Sequence, residues 1–234
     1  MDNKDVIIAL DFATKNEVLD FLDGFNEKKP YVKIGMELYY GAGNEIVFEI
    51  KERGHKIFLD LKLHDIPNTI EKAMANMAKL PIDMINCHAG GTIEMMAAAQ
   101  NGLIKGSTGK AKPSLIAVTL LTSISSKQLS DELLVGGSME KTVIHYALNA
   151  KKAGLEGVVC SPLEAKVIKE NCGSDFVIVT PGIRLDNDAD DHKRINTPKQ
   201  ASADGAHYIV VGRPITAAED PVAAYDRYLK EFVG

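Results

Sequence analysis

The chain has 234 residues, 45% hydrophobic and 25% charged, with 27 basic against 32 acidic side chains and a formal net charge of −5. This is ordinary globular composition, which excludes collagen-like, disordered and disulfide-scaffold classes. A net acidic chain with no basic run is a poor match to nucleic acid or a membrane surface, although a local basic pocket can still hold a small anion.

The first residues run directly into Val6–Leu10, too short a stretch for the apolar region of a signal peptide. No apolar stretch approaches the ~20 residues that span a bilayer. Cys87, Cys160 and Cys172 form no CxxC pair and leave an odd thiol, which fits a reducing compartment. A cytoplasmic location is expected.

Short apolar runs rich in β-formers alternate with longer stretches of helical period. Asp5–Leu10 predicts a strand and Lys15–Phe25 the helix after it; Tyr31–Gly35 is followed by Glu45–Arg53, and Lys56–Leu61 by Thr69–Lys79. Met84–His88 pairs with Thr92–Gly102, Ser114–Leu120 with Met139–Ala153, and Gly157–Cys160 with Leu163–Asn171. Phe176–Thr180 leads to Pro198–Ala203, and His207–Val211 to the closing stretch Pro221–Phe232. The strands are almost continuously apolar, as in a parallel sheet covered by helices on both faces. Eight βα units in this length predict an α/β fold, a single (β/α)8 TIM barrel spanning residues 1–234. A doubly wound open sheet is the second choice, but no GxGxxG follows the first strand.

Polar residues interrupt this pattern at the carboxyl ends of strands, where barrels build their active sites. Strand one ends in Asp11, strand two carries Lys33 between Val32 and Ile34, and strand three reads Phe58-Leu59-Asp60-Leu61-Lys62-Leu63-His64-Asp65-Ile66. Strand residues alternate faces, so if Leu59 and Leu61 face helices, Asp60 and Lys62 face the barrel mouth beside Lys33. One such charge is easily a solvated loop residue. Several on consecutive strands have no packing rationale, because buried charges are tolerated only when paired.

A second cluster follows the last two strands, in Thr180-Pro181-Gly182-Ile183-Arg184 and Val210-Val211-Gly212-Arg213-Pro214. Phosphate sites in this fold are often built there, with glycine admitting close backbone approach and arginine offering a forked donor. The alternative is an ordinary turn with a surface arginine. His88 ends strand four and reads more naturally as a structural hydrogen-bonder than as an acid or base, and Met74, Met77, Met95 and Met96 read as core. No HExxH, EF-hand, P-loop, nucleophile elbow or zinc spacing appears.

Asp60-x-Lys62-x-x-Asp65, with Lys33 upstream and Gly212-Arg213 after strand eight, resembles the orotidine 5'-monophosphate decarboxylase family in its bacterial form. The resemblance runs from Ala9-Leu10-Asp11 through Val32-Lys33-Ile34-Gly35, Phe58 to Thr69, Leu121-Thr122-Ser123 and Thr180 to Arg184, ending at Val211 to Ile215. It implies a homodimer with shared active sites that converts orotidine 5'-monophosphate to uridine 5'-monophosphate and CO2 without a cofactor, the last step of UMP biosynthesis. It makes Lys62 the proton donor in a network with Lys33, Asp60 and Asp65, the last supplied by the partner subunit. Asp11, Lys33 and Thr69 match ribose contacts, Thr69 from across the interface. Thr122 and Ser123 fall at the pyrimidine edge, Arg184, Gly212 and Arg213 at the phosphate, and Asp60, Ile66 and Pro181 among the other substrate contacts. In the acidic loop Leu185–Arg194, His192 stands where the family places a glutamine that bridges phosphate and base.

Such chemistry suits these residues. Decarboxylation at an sp2 carbon without an electron sink builds carbanion character that fixed charges must stabilise and a positioned acid must quench. An ammonium on a flexible stem does both, and alternating lysines and aspartates hold each other ionised. The related alternative is a Mg²⁺-dependent 3-hexulose-6-phosphate synthase or 3-keto-gulonate-6-phosphate decarboxylase, which places a glutamate where this chain has Lys33. A non-catalytic nucleotide sensor is the alternative from another class.

Overall fold

The structure is a computed structural model that describes residues 4–185 and 196–234. Its strands are β1 (Asp5–Ala9), β2 (Tyr31–Gly35), β3 (Ile57–Leu63), β4 (Met84–His88), β5 (Ser114–Val118), β6 (Gly157–Val159), β7 (Val177–Pro181) and β8 (Tyr208–Val211). Each pairs in parallel with its neighbour in chain order, and β8 returns to β1 to close the barrel.

Period-two alternation divides the core in two. Side chains facing the helices, such as Ile8, Ile34, Leu59, Leu61, Ile85 and Cys87, join one continuous outer cluster. The inward set, Ile7, Ala9, Tyr31, Phe58, Met84, Ile116, Val179 and Val210, packs separately and fills the barrel below its mouth. Parallel strands whose two faces are both buried must be apolar on both, which is why the strand runs were legible in the sequence.

The helices are α1 (Lys15–Asp23), α2 (Met36–Ala42), α3 (Glu45–Glu52), α4 (Pro67–Met77), α5 (Thr92–Gly106), α6 (Ser126–Asp131), α7 (Met139–Lys152), α8 (Ala165–Cys172), α9 (Pro198–Ala203), α10 (Arg213–Thr216) and α11 (Pro221–Val233). Their starts are chemically marked. Thr14 and Glu17 form a capping box at α1, Ser125 and Gln128 another at α6, and Ser138, Thr197 and Asp220 cap α7, α9 and α11. Three of these helices, α2, α6 and α10, were not expected. Each has seven residues or fewer, too short for a helical period to stand out, and α2 begins directly from a strand with no side-chain cap.

Helix α5 runs past its expected end at Gly102 to Gly106. Both glycines press on α4: a Cβ at Gly102 would lie 2.2 Å from the Glu71 carbonyl oxygen, and one at Gly106 2.2 Å from that of Ala75. A mid-helix glycine costs roughly 0.5–1 kcal/mol against alanine, and here it is what lets two helix backbones approach this closely. The contact holds α4 in place, and with it the corner Asp65-Ile66-Pro67 from which α4 starts.

Candidate active site

Asp60, Lys33 and Lys62 meet on the floor of the barrel mouth. Lys62 Nζ lies 2.8 Å from Asp60 Oδ1, and Lys33 Nζ lies 3.4 Å from Asp60 Oδ2 and 3.4 Å from Asp11 Oδ1. The Asp60 and Lys33 side chains are only 11% and 12% exposed, so these pairs are poorly screened by water. Gly35 makes room for the ammonium of Lys33, since a Cβ there would lie 3.2 Å from Nζ. Burial pushes the Asp60 carboxyl up, but the charges of Lys33 and Lys62 and hydrogen bonds from Lys62 and Asn86 outweigh it and leave it below the usual carboxylate range.

Strand β3 reaches this arrangement by an irregular path. The ladder with β4 runs regularly to Leu59–Ile85 and resumes at Leu63–Cys87, so four residue steps of β3 match two of β4. Lys62 sits in this bulge with φ 53°. A bulge re-aims side chains. Asp60 and Lys62 both line the cavity, as expected from alternation, but by a distorted strand. Asn86, fully buried on β4, accepts a hydrogen bond from the Lys62 backbone N–H at 2.7 Å and donates to Asp60 Oδ1 at 2.6 Å. Sequence reasoning missed Asn86; an amide inside an apolar strand was the available signal.

The cavity above this floor has a volume of about 250 Å³ and is lined by Lys33, Asp60 and Lys62, by Thr122 and Ser123 after β5, and by Pro181 at the end of β7. A larger cavity of about 560 Å³ adjoins it, sharing Thr122, Ser123 and Pro181 and reaching Arg184. Arg184 follows β7, its guanidinium donating to the Ile183 carbonyl at 3.0 Å. Gly212 and Arg213 follow β8 at the start of α10, where backbone N–H groups lack helical partners. A Cβ on Gly212 would sit 3.7 Å from Asp11 Oδ2, so the end of β8 adjoins the charged floor.

Six expected residues line neither cavity: Asp11, Gly212 and Arg213 at the ends of β1 and β8, and Asp65, Ile66 and Thr69 after β3. Asp65, Ile66 and Thr69 are exposed at the β3–α4 corner, and the Asp65 carboxylate accepts from the Ile66 N–H at 2.7 Å and makes no ion pair among the described residues. His192 lies outside the described residues. His88 stacks on His64, ring centroids 5.7 Å apart, and burial, His64 and Lys62 lower its pKa, favouring the neutral ring. Met74, Met95 and Met96 are buried as expected, and Met77 packs against the core.

Fold and site together define an enzyme of the (β/α)8 class, with paired charges at the carboxyl ends of its strands and arginines after the last two. Comparison with known proteins is specific. The profile of the orotidine 5'-phosphate decarboxylase / HUMPS family matches residues 4–228, and the chain belongs to that family. It is 56% identical over 227 residues to an orotidine 5'-phosphate decarboxylase of Listeria innocua, covering 97% of each chain. It is 50% identical over 234 residues to one of Geobacillus sp. (strain WCH70), covering 99% of this chain and 98% of the relative. A crystal structure of orotidine 5'-phosphate decarboxylase from Lactobacillus acidophilus superposes with a TM-score of 0.87 at 45% identity, covering 99% of this chain and 100% of that one.

Proposed function

We propose that the chain decarboxylates orotidine 5'-monophosphate to uridine 5'-monophosphate and CO2, closing UMP biosynthesis, with Lys62 as proton donor. The observation that carries this reading is the ion network on the cavity floor, Lys33 to Asp60 to Lys62, with Lys62 among the residues that line the cavity. The bond from the ring carbon to the carboxylate breaks, CO2 leaves, and the electron pair remains on the ring carbon. The Lys62 ammonium stabilises that pair and then gives it a proton, and the neutral amine regains one from water. Because Lys33 and Lys62 are held by Asp60 before substrate arrives, little reorganisation is required as the charge develops.

The remaining assignments carry the family resemblance over to this site. Asp11 and Lys33 hold the ribose, Thr122 and Ser123 read the pyrimidine edge near Pro181, and Arg184, Gly212 and Arg213 hold the phosphate. A grip on the phosphate supplies binding energy at a distance from the reacting carbon, which serves orientation and closure. Asp65, Ile66 and Thr69 act in the neighbouring site of a homodimer. Their exposure, and the absence of Asp65 from its own chain's ion pairs among the described residues, support that arrangement. No helix among the described residues is long and apolar enough to cross a membrane, and the acidic balance argues against nucleic acid; the reading carries a cytoplasmic enzyme. A Mg²⁺-dependent reaction is disfavoured by Lys33, whose ammonium lies between the Asp11 and Asp60 carboxylates where a cation would have to bind.

The test is direct. Purified protein with excess EDTA should consume orotidine 5'-monophosphate, followed by loss of its ultraviolet absorbance, at the rate seen without chelator. No consumption, or consumption that requires added Mg²⁺, would overturn the reading.

A further inference from the structure

We propose that Asn86 is a positioning residue for Lys62 and Asp60, acting through both without touching substrate; the inference rests on the decarboxylase reading above. The side-chain amide is fully buried and bridges the two residues: its oxygen accepts from the Lys62 backbone N–H at 2.7 Å, and its nitrogen donates to Asp60 Oδ1 at 2.6 Å.

Each half of the bridge has a physical task. At the bulge Lys62 falls between the ladder pairs Leu59–Ile85 and Leu63–Cys87, and the Asn86 side chain supplies its N–H with an acceptor. Lys62 also holds φ 53°, a left-handed conformation that costs a non-glycine residue of order 1–3 kcal/mol and persists only where its surroundings enforce it. The hydrogen bond from Asn86 is such an enforcement. It secures the backbone from which the Lys62 side chain turns back to place Nζ 2.8 Å from Asp60.

The other half concerns charge. Asp60 Oδ1 accepts from both Lys62 Nζ and Asn86 Nδ2, while Oδ2 faces Lys33. Asn86 thus fixes the rotation of the carboxylate so that each oxygen meets one lysine. An amide does this without adding charge. An aspartate at the position would put a second carboxylate against Asp60, and an apolar residue would leave a buried carboxylate oxygen and a buried N–H short of a partner.

The experiment compares Asn86→Leu and Asn86→Asp with wild type, measuring kcat for orotidine 5'-monophosphate, Kd for UMP and the pH profile of kcat. Misplacing a catalytic group by about 1 Å costs on the order of 10²-fold, and that loss is expected in kcat for Asn86→Leu, with UMP affinity within about threefold of wild type. The acid limb of kcat should move to higher pH as Asp60 loses a hydrogen bond. Asn86→Asp should be impaired at neutral pH and recover as pH falls, since a protonated carboxyl can again accept from Lys62 and donate to Asp60. This second variant decides the matter if the leucine variant does not fold. Turnover of both variants within threefold of wild type, or an Asn86→Asp profile parallel to wild type, would overturn the inference while leaving the decarboxylase reading intact. An inactive wild type would instead defeat that reading itself.

Discussion

Lys62 Nζ stands 2.8 Å from Asp60 Oδ1, although the two residues are separated by Leu61, which packs in the outer core, and although Lys62 has left the extended conformation. Three residues of the strand, Asp60, Leu61 and Lys62, have no ladder partner on β4 where this pair is made. A distortion of that kind is unfavourable for folding alone, and it accounts for a charged cluster at a strand end where packing would favour apolar residues.

Arg213, exposed at the start of α10, is proposed to hold the substrate phosphate. Charge-assisted hydrogen bonds are worth roughly 1.5–3 kcal/mol each, so Arg213→Ala should lower kcat/KM at least tenfold, chiefly through KM. Steady-state kinetics on the nucleotide and on a substrate lacking the phosphate check this. An equal loss on both would place Arg213 elsewhere.

Sharing of sites is tested by mixing. Lys62→Ala and Asp65→Ala homodimers should each be nearly inactive. After dissociation and random reassociation of equal amounts, about half the dimers are mixed and each carries one intact site in two, so roughly a quarter of wild-type activity should return. Absence of rescue, with subunit exchange confirmed, would mean that Asp65 acts within its own chain.

Gly102→Ala tests the contact between α4 and α5. Alanine gains up to about 1 kcal/mol of helix propensity. Its Cβ would lie 2.2 Å from the Glu71 carbonyl oxygen, a backbone atom that cannot rotate away, and overpacking of this kind costs typically ~1–3 kcal/mol. Destabilisation should win and lower Tm by several degrees, at about 2–4 °C per kcal/mol for a chain of this size. An unchanged or raised Tm in a thermal melt would refute the tight packing.

His55 gives a pH signature remote from the site. Its ring is buried, with Nδ1–H donating to the Pro30 carbonyl at 2.9 Å, and burial lowers its pKa. The unfolded chain therefore takes up the proton first, so stability is full above the ordinary histidine value near ~6.5 and declines as pH falls toward the lowered one. His55→Asn should flatten the fall of Tm between pH 7 and 5 relative to wild type. A variant with the same slope would show that His55 does not contribute to it.

Eight strands and most of the large helices were legible in the sequence because strands buried on both faces leave apolar runs, and long amphipathic helices leave a period. The charged floor was legible for the converse reason: Asp11, Lys33, Asp60 and Lys62 interrupt those runs where apolar residues are expected. What was not legible depends on three-dimensional register. Nothing local to Phe58–Leu63 announces that β3 and β4 fall out of step, and without the bulge Asn86 has no visible partner. Helix α10 was hidden because four residues carry no period, although Gly212 and Arg213 at its start were recognised as a pair.

The role of Lys62 as proton donor is tested most directly by substituting that residue. Lys62→Ala, compared with wild type in single-turnover decarboxylation of orotidine 5'-monophosphate, should lose at least ~10²–10⁴-fold in rate, the usual contribution of a general acid, and more where its charge also stabilises the carbanion. Its Tm and its binding of UMP should remain close to wild type. A Lys62→Ala protein that turns over substrate at near wild-type rate would contradict the account.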